Sequence, residues 1–148
     1  MNNIEMVDKL LQDELSATET YQQAMSALQE KAPAMSEMEY LKPIYEDHKE
    51  AVSTLQEEIR QMGGTPSGDS GAWGKWAEIV QGGANMLGKT TALKALQEGE
   101  RNGIEDYEEA LQESDLPANV RSLIETKLLP AQQSHIRTLD RLLDAQAA

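Results

Sequence analysis

Apolar residues recur three and four positions apart along most of this chain, which is the spacing of one face of an α-helix. Four long stretches follow this spacing, and they predict helices over about residues 3–31, 36–62, 88–113 and 117–145. A shorter stretch, from Trp73 to Gly82, predicts a short helix inside the connection 63–87. Glycine and proline punctuate the segments between the helices and favour turns there. The pattern therefore indicates an all-α fold.

The pattern of apolar and polar positions occurs twice in the chain. Six positions of the first helix recur 86 residues later in the third, where Val7, Leu10, Glu14, Ala17, Tyr21 and Ala24 correspond to Leu93, Leu96, Glu100, Gly103, Tyr107 and Ala110. Six positions of the second helix recur 87 residues later in the fourth, where Leu41, Pro43, Tyr45, His48, Val52 and Leu55 correspond to Leu128, Pro130, Gln132, His135, Leu139 and Leu142. The repeat predicts two duplicated helical hairpins that close into one four-helix bundle, with 63–87 as a long crossover.

Composition narrows the class of protein. With 148 residues, of which 26% are charged and 39% hydrophobic, the chain fits one folded domain spanning 1–148. The formal net charge of −13 argues against nucleic acid as a partner, because phosphate binding requires clustered Lys and Arg. The lack of cysteine excludes a disulfide framework and thiolate metal ligands. No stretch approaches the roughly 18 apolar residues that a membrane span needs, and the N-terminus has no apolar leader, so we expect a cytoplasmic protein.

Two glutamates and the chain's two histidines interrupt the apolar stripes at matching places. Glu14 and Glu100 have apolar or small residues one turn to either side, so both carboxylates should be buried. His48 and His135 lie on the stripes of the neighbouring helices, within reach of those carboxylates. Two carboxylates and two imidazoles are a suitable ligand set for a divalent transition metal such as Fe, Mn or Zn. The metal-free alternative is a buried polar layer in which each glutamate bonds a histidine.

These residues resemble the ferritin-like superfamily of bacterioferritins and rubrerythrins over all four helices. The run from Glu14 to Tyr21 is similar to the first-helix motif of rubrerythrins, a Glu followed seven residues later by Tyr. The nearest resemblance is to a bacterial branch of uncharacterised function, which shares Gly-Gly-x-Pro after helix 2, a Glu-rich helix 3 and Leu-Pro-x-x-Val-Arg at the start of helix 4. The resemblance implies a ferritin-like bundle with a metal centre and iron- or peroxide-related chemistry.

The chain departs from that family where bridging carboxylates are expected. The family holds two iron ions with a Glu from helices 1 and 3 and a Glu-x-x-His from helices 2 and 4. Here those motifs read Tyr45-x-x-His48 and Gln132-x-x-His135. We therefore expect one ion, or a weakly held pair, on Glu14, His48, Glu100 and His135. Tyr45, Gln132, Tyr21 and Tyr107 are expected to surround that ligand set.

Gly83 to Thr90 matches the phosphate-loop motif, but no segment supplies the parallel sheet that such a loop needs, so we expect no nucleotide binding. Trp73 and Trp76 either form a homodimer contact or cover the side of the bundle, and covering is favoured. Pro43 and Pro130 each precede a histidine by five residues inside a helix. Either they kink the helices and widen the bundle beside the polar layer, or they are tolerated irregularities inherited with the duplication.

Overall fold

The computed structural model describes residues 2–31, 35–68 and 89–147. All regular structure in these residues is helical: α1 (Asn3–Lys31), α2 (Met35–Gln61), α3 (Lys89–Leu111), α4 (Ala118–Leu123) and α5 (Leu129–Ala147). The predicted all-α class is confirmed for this part of the chain. The short helix predicted over Trp73 to Gly82 lies outside the described residues, as does most of the Gly83–Thr90 motif. No helix in the described ranges is long and apolar enough to cross a membrane.

A short π-helical segment, Ile124–Leu128, joins α4 to α5. Its flanking residues keep right-handed helical dihedrals, so α4, the π segment and α5 form one continuous fourth helix. The Leu129 N–H donates to the carbonyl of Ile124, five residues back. Pro130 follows directly; it has no N–H to donate, and its ring clashes with the carbonyl four residues earlier. The wider turn relieves that conflict.

The two prolines therefore have different local structures. The sequence predicted the same irregularity at both, because they occupy equivalent positions in the repeat. Around Pro43 the chain remains α-helical from Met35 to Gln61, whereas Pro130 is preceded by the π segment. The fourth helix was predicted over 117–145 with Pro130 inside it, and the structure adds a π segment, Ile124–Leu128, ahead of that proline.

Helices α1 and α2 pack against each other in opposite directions. The chain just beyond the end of α2 returns to the start of α1, where the Ser67 N–H donates to Asp8 Oδ1 at 2.8 Å. Gly63, at φ 86°, adopts the left-handed conformation that terminates α2. This hairpin sets Glu14 of α1 beside His48 of α2.

Helices α1 and α3 are antiparallel as well. Tyr21, late in α1, bonds Glu100 in the first half of α3, while the earlier Glu14 bonds the later Tyr107. Since α1 is antiparallel to both α2 and α3, the end of α2 and the start of α3 lie at opposite ends of the molecule. Helix α5 contacts both α3 and α2, which closes the ring of helix neighbours.

The apolar core is divided into two clusters by a layer of polar side chains. The first cluster contains Ala17, Tyr21, Ala24, Leu41, Ile44, Ala92, Leu93, Ala95, Leu96 and Leu139. The second contains Met6, Val7, Leu10, Leu11, Ala51, Leu55, Ile59, Tyr107, Ala110, Leu116, Val120, Ile124 and Leu128. The buried polar residues between them are Glu14, His48, Glu100, Gln132 and His135. All four long helices contribute to this layer.

Candidate metal centre

The polar layer is almost completely removed from solvent. Glu14, His48, Glu100 and His135 are 3%, 1%, 0% and 4% exposed, and each comes from a different helix. Apolar residues one turn away anchor each helix in the core, so these side chains are carried inward. Burial of this kind is costly for a charged group unless another group compensates its charge.

His48 lies between the two buried carboxylates. Its Nδ1 is 2.7 Å from Glu14 Oε2 and its Nε2 is 2.8 Å from Glu100 Oε2. An imidazole donates from both nitrogens only when it is protonated. Burial lowers the pKa of His48, but attraction to Glu100 and Glu14 outweighs it and raises this pKa well above its ordinary value. In the metal-free protein His48 is therefore an imidazolium bridging two carboxylates.

His135 bonds one buried carboxylate and one carboxylate at the surface. Its Nδ1 is 3.3 Å from Glu100 Oε1, and its Nε2 is 2.8 Å from Asp47 Oδ2. Asp47 is 52% exposed, so it faces solvent and the layer at once. The sequence pattern did not predict Asp47, because it directly precedes His48 and so does not share the apolar stripe on which His48 lies. Its contact with His135 depends on how α2 packs against α5.

Tyr21 and Tyr107 hold the glutamates from the other side. Tyr21 donates its hydroxyl to Glu100 Oε2 at 2.6 Å, and Tyr107 donates to Glu14 Oε1 at 2.9 Å. Burial raises the pKa of each phenol, and the neighbouring carboxylate raises it further, so both hydroxyls remain donors. Tyr45 is placed differently: it packs against the first apolar cluster, with the Lys49 ammonium 5.3 Å from its ring centre.

Gln132 has one satisfied and one unsatisfied amide atom. Its Nε2 donates to the backbone carbonyl of Glu100 at 3.2 Å. The amide lies over Gly103, where an added Cβ would overlap Nε2 and come within 2.9 Å of Cδ. Its Oε1 is buried and has no hydrogen-bond partner among the described residues. A buried acceptor of this kind is ready for a donor or a cation.

A cavity of about 180 Å³ extends from the polar layer towards the surface between α2 and the fourth helix. Its inner wall includes Glu14, His48, Gln132 and His135. Its outer wall includes Asp47, Glu50 and Lys127, and the last two form an ion pair at 2.7 Å. The cavity therefore gives the buried layer a route to solvent.

Three of the four predicted ligands lie close enough to hold one metal ion. One ligand atom from each of His48, Glu100 and His135 falls within 4.8 Å of the other two. Glu14, the fourth predicted ligand, lies outside this group and bonds His48 Nδ1, on the side of the ring opposite Glu100. Burial raises the pKa of Glu100, but the attraction of His48 and hydrogen bonds from both histidines hold it well below its ordinary value, so Glu100 is a carboxylate. Nitrogen and carboxylate ligands suit divalent Fe, Mn and Zn.

The family model described as Domain of unknown function (DUF2383) matches residues 2–113. The chain belongs to the DUF2383 family. The match includes α1, α2 and α3, and with them Glu14, His48 and Glu100; His135 and Gln132 lie beyond it. No curated protein and no solved structure matches the chain.

This DUF2383 chain also buries a carboxyl group outside the predicted set. Asp13, next to Glu14, is 8% exposed. Burial raises the pKa of Asp13 to about 9, assisted by a side-chain hydrogen bond with Asp106 and by the charges of Asp106 and Glu14, against the opposing charge of Lys9. Asp13 is thus a neutral acid at pH 7. In the sequence, the burial of Asp13 is indicated only by its position beside Glu14, which faces inward.

Proposed function

We propose that this DUF2383 protein is a ferritin-like four-helix bundle, built from two duplicated hairpins, that binds a divalent transition metal in its polar layer. The supporting observation is that ligand atoms of His48, Glu100 and His135 lie within 4.8 Å of one another in a buried setting. Glu14 completes the proposed ligand set. The order and directions of the helices, and the resemblance of the Glu14–Tyr21 run, support the ferritin-like assignment.

The residues present fit one ion better than two. Glu14 and Glu100 together balance the charge of one divalent cation. Two divalent cations bring a charge of about +4, which ferritin-like di-iron proteins balance with four carboxylates. Gln132 contributes a neutral oxygen, Oε1, which is buried and unpartnered among the described residues. A single Fe²⁺, Mn²⁺ or Zn²⁺ is therefore the proposed occupant.

Each residue of the layer has a defined task in this proposal. A bound iron or manganese ion would supply redox chemistry at this site, which is what the proposed iron- or peroxide-related function requires. Tyr21 and Tyr107 fix the orientation of the two glutamates by donating to them. His48 must release a ring proton before it can offer a lone pair, so metal binding is coupled to proton release. The cavity along Asp47 and Glu50 gives small molecules access.

The test is thermal melting with and without metal, because an ion that binds only the folded state stabilises it by mass action. At free metal about 100 times Kd the gain is about 2.7 kcal/mol. For a domain of this size that corresponds to a rise in Tm of roughly 5–10 °C. Chelator should lower the Tm of metal-loaded wild type and leave Glu100→Gln unaffected. If Fe²⁺, Mn²⁺ and Zn²⁺ all leave the wild-type Tm unchanged, the metal proposal fails.

A second candidate is a metal-free helical module that acts through its surface. The observation that favours it is the position of His48, whose imidazolium already satisfies both carboxylates without an ion. This candidate expects no metal after purification without chelator, and no effect of metal on Tm. A homodimer and a cytoplasmic location are proposed under either function.

A further inference from the structure

Asp47 is half exposed to solvent and also contacts the polar layer. Its Oδ2 lies 2.8 Å from His135 Nε2, and the other nitrogen of the ring, Nδ1, lies 3.3 Å from Glu100 Oε1. His135 itself is 4% exposed, so few alternative partners can reach its Nε2. The ring is therefore held between one group inside the layer and one group at its edge.

The bond to Asp47 decides which nitrogen of His135 can bind a cation. A neutral imidazole carries one N–H, and its other nitrogen carries the lone pair. When a cation takes the place of a proton on Nδ1, the N–H on Nε2 still donates to Asp47, and the Nδ1 lone pair is on the side of the ring that faces Glu100. The carboxylate also makes the ring a stronger electron donor, as carboxylates do for metal-bound histidines.

We propose that Asp47 is a positioning residue for the metal centre: it fixes the ring of His135 with Nδ1 turned inward and strengthens Nδ1 as a ligand. The inference rests on the proposed function, since it assigns a role at the same site. It also adds a third carboxylate to a cluster in which the sequence offered only Glu14 and Glu100. That charge lies in contact with His135 and not among the ligands themselves.

Zn²⁺ binding by full-length variants tests this role. Asp47→Ala should weaken Zn²⁺ binding, measured by competition with a chelating dye, by about 10- to 100-fold. Asp47→Asn keeps an acceptor oxygen but loses the charge, and it should lie between Asp47→Ala and wild type. Glu46→Ala is the matched control, because Glu46 is the exposed neighbour on α2, pairs with Lys49 and carries the same charge. Its affinity should stay within about twofold of wild type, as a surface pair contributes little.

Nuclear magnetic resonance supplies a readout that a merely structural role would not change. The chain has two histidines, so ¹⁵N-histidine labelling gives two imidazole patterns, assigned with His135→Gln. In Zn²⁺-loaded wild type the His135 proton should be on Nε2 and exchange slowly with water. In Asp47→Ala it should exchange rapidly.

The outcomes separate the two proposals. If wild type binds Zn²⁺ and Asp47→Ala binds it equally well, the positioning role is refuted while the metal site stands. Equal weakening by Glu46→Ala and Asp47→Ala would also refute it, because net charge alone would then explain the loss. A His135 proton on Nδ1 in loaded wild type would overturn it directly. No Zn²⁺ binding by wild type would overturn both proposals.

Discussion

Replacing His48 with alanine should be among the most destabilising single changes in the polar layer of the metal-free protein. His48 donates to Glu14 at 2.7 Å and to Glu100 at 2.8 Å, and all three side chains are nearly inaccessible to solvent. Removing one partner of a buried ion pair costs about 3–5 kcal/mol, because the other charge is left uncompensated. Against a domain stability of about 5–15 kcal/mol, this loss is large.

His135→Ala is the comparison that isolates the bridging role of His48. His135 makes a longer bond to Glu100, at 3.3 Å, and its other partner, Asp47, can be hydrated when released. We expect this variant to lose about 1–3 kcal/mol, the range for one buried acceptor left unpaired. Urea denaturation of both variants, followed by circular dichroism in the presence of chelator at pH 7, measures the difference.

The pH dependence of the His48→Ala variant provides a second check. Without the imidazolium, burial favours the neutral form of Glu100, so the folded variant should bind a proton that the unfolded chain does not. Its free energy of unfolding should then increase as the pH falls from 7 to 5. If His48→Ala lowers the free energy of unfolding at pH 7 by less than about 1 kcal/mol, or by as much as His135→Ala does, the assignment of His48 as the central counter-charge is refuted.

Three other outcomes are expected. Gly103→Ala should destabilise the protein by about 1–2 kcal/mol despite the better helix propensity of alanine, because the new Cβ overlaps Gln132 Nε2. In urea denaturation the double variant Gly103→Ala/Gln132→Ala should recover most of the loss, and no recovery would show that another contact is responsible. Asp13→Asn should stabilise the protein at pH 8, because the folded-state pKa of Asp13, about 9, lies above its ordinary 3.8 and wild type loses stability over that interval as the pH rises. A variant whose free energy of unfolding equals that of wild type both at pH 5 and at pH 8 would contradict this. The raised pKa of His48 should stabilise metal-free wild type fully below pH 6.5, and this contribution should be lost as the pH rises through the folded-state value; a His48 ring that is neutral at pH 6.5 in the labelled protein would exclude it.

Much of the fold follows from the period of the apolar residues. Helix positions depend on local spacing and on glycine and proline, which a sequence displays directly, so α1, α2 and α3 begin and end within two residues of expectation. The inward direction of Glu14, His48, Glu100 and His135 follows in the same way, because each shares a stripe with core residues. These inferences need only the geometry of a single helix.

The remaining features depend on contacts between helices. Whether Tyr21 bonds Glu14 or Glu100 is decided by the packing of α1 against α3, and the sequence does not contain that alignment. The contact of Asp47 with His135 likewise requires the angle between α2 and α5. The π segment before Pro130 is a change in hydrogen-bond register, and the equivalent Pro43 shows that an identical residue does not enforce it.

Division of the core into two apolar clusters has a consequence for how the helices find their alignment. Two smooth apolar faces tolerate sliding by one turn, about 5.4 Å, because leucine can replace leucine at the contact. Here such a slip of α1 or α3 would carry a carboxylate away from His48 and into one of the two apolar clusters. The penalty for an unpaired charge would fall on every shifted arrangement and not on the native one. The polar layer thus serves as a lock on helix register, whether or not a metal is present.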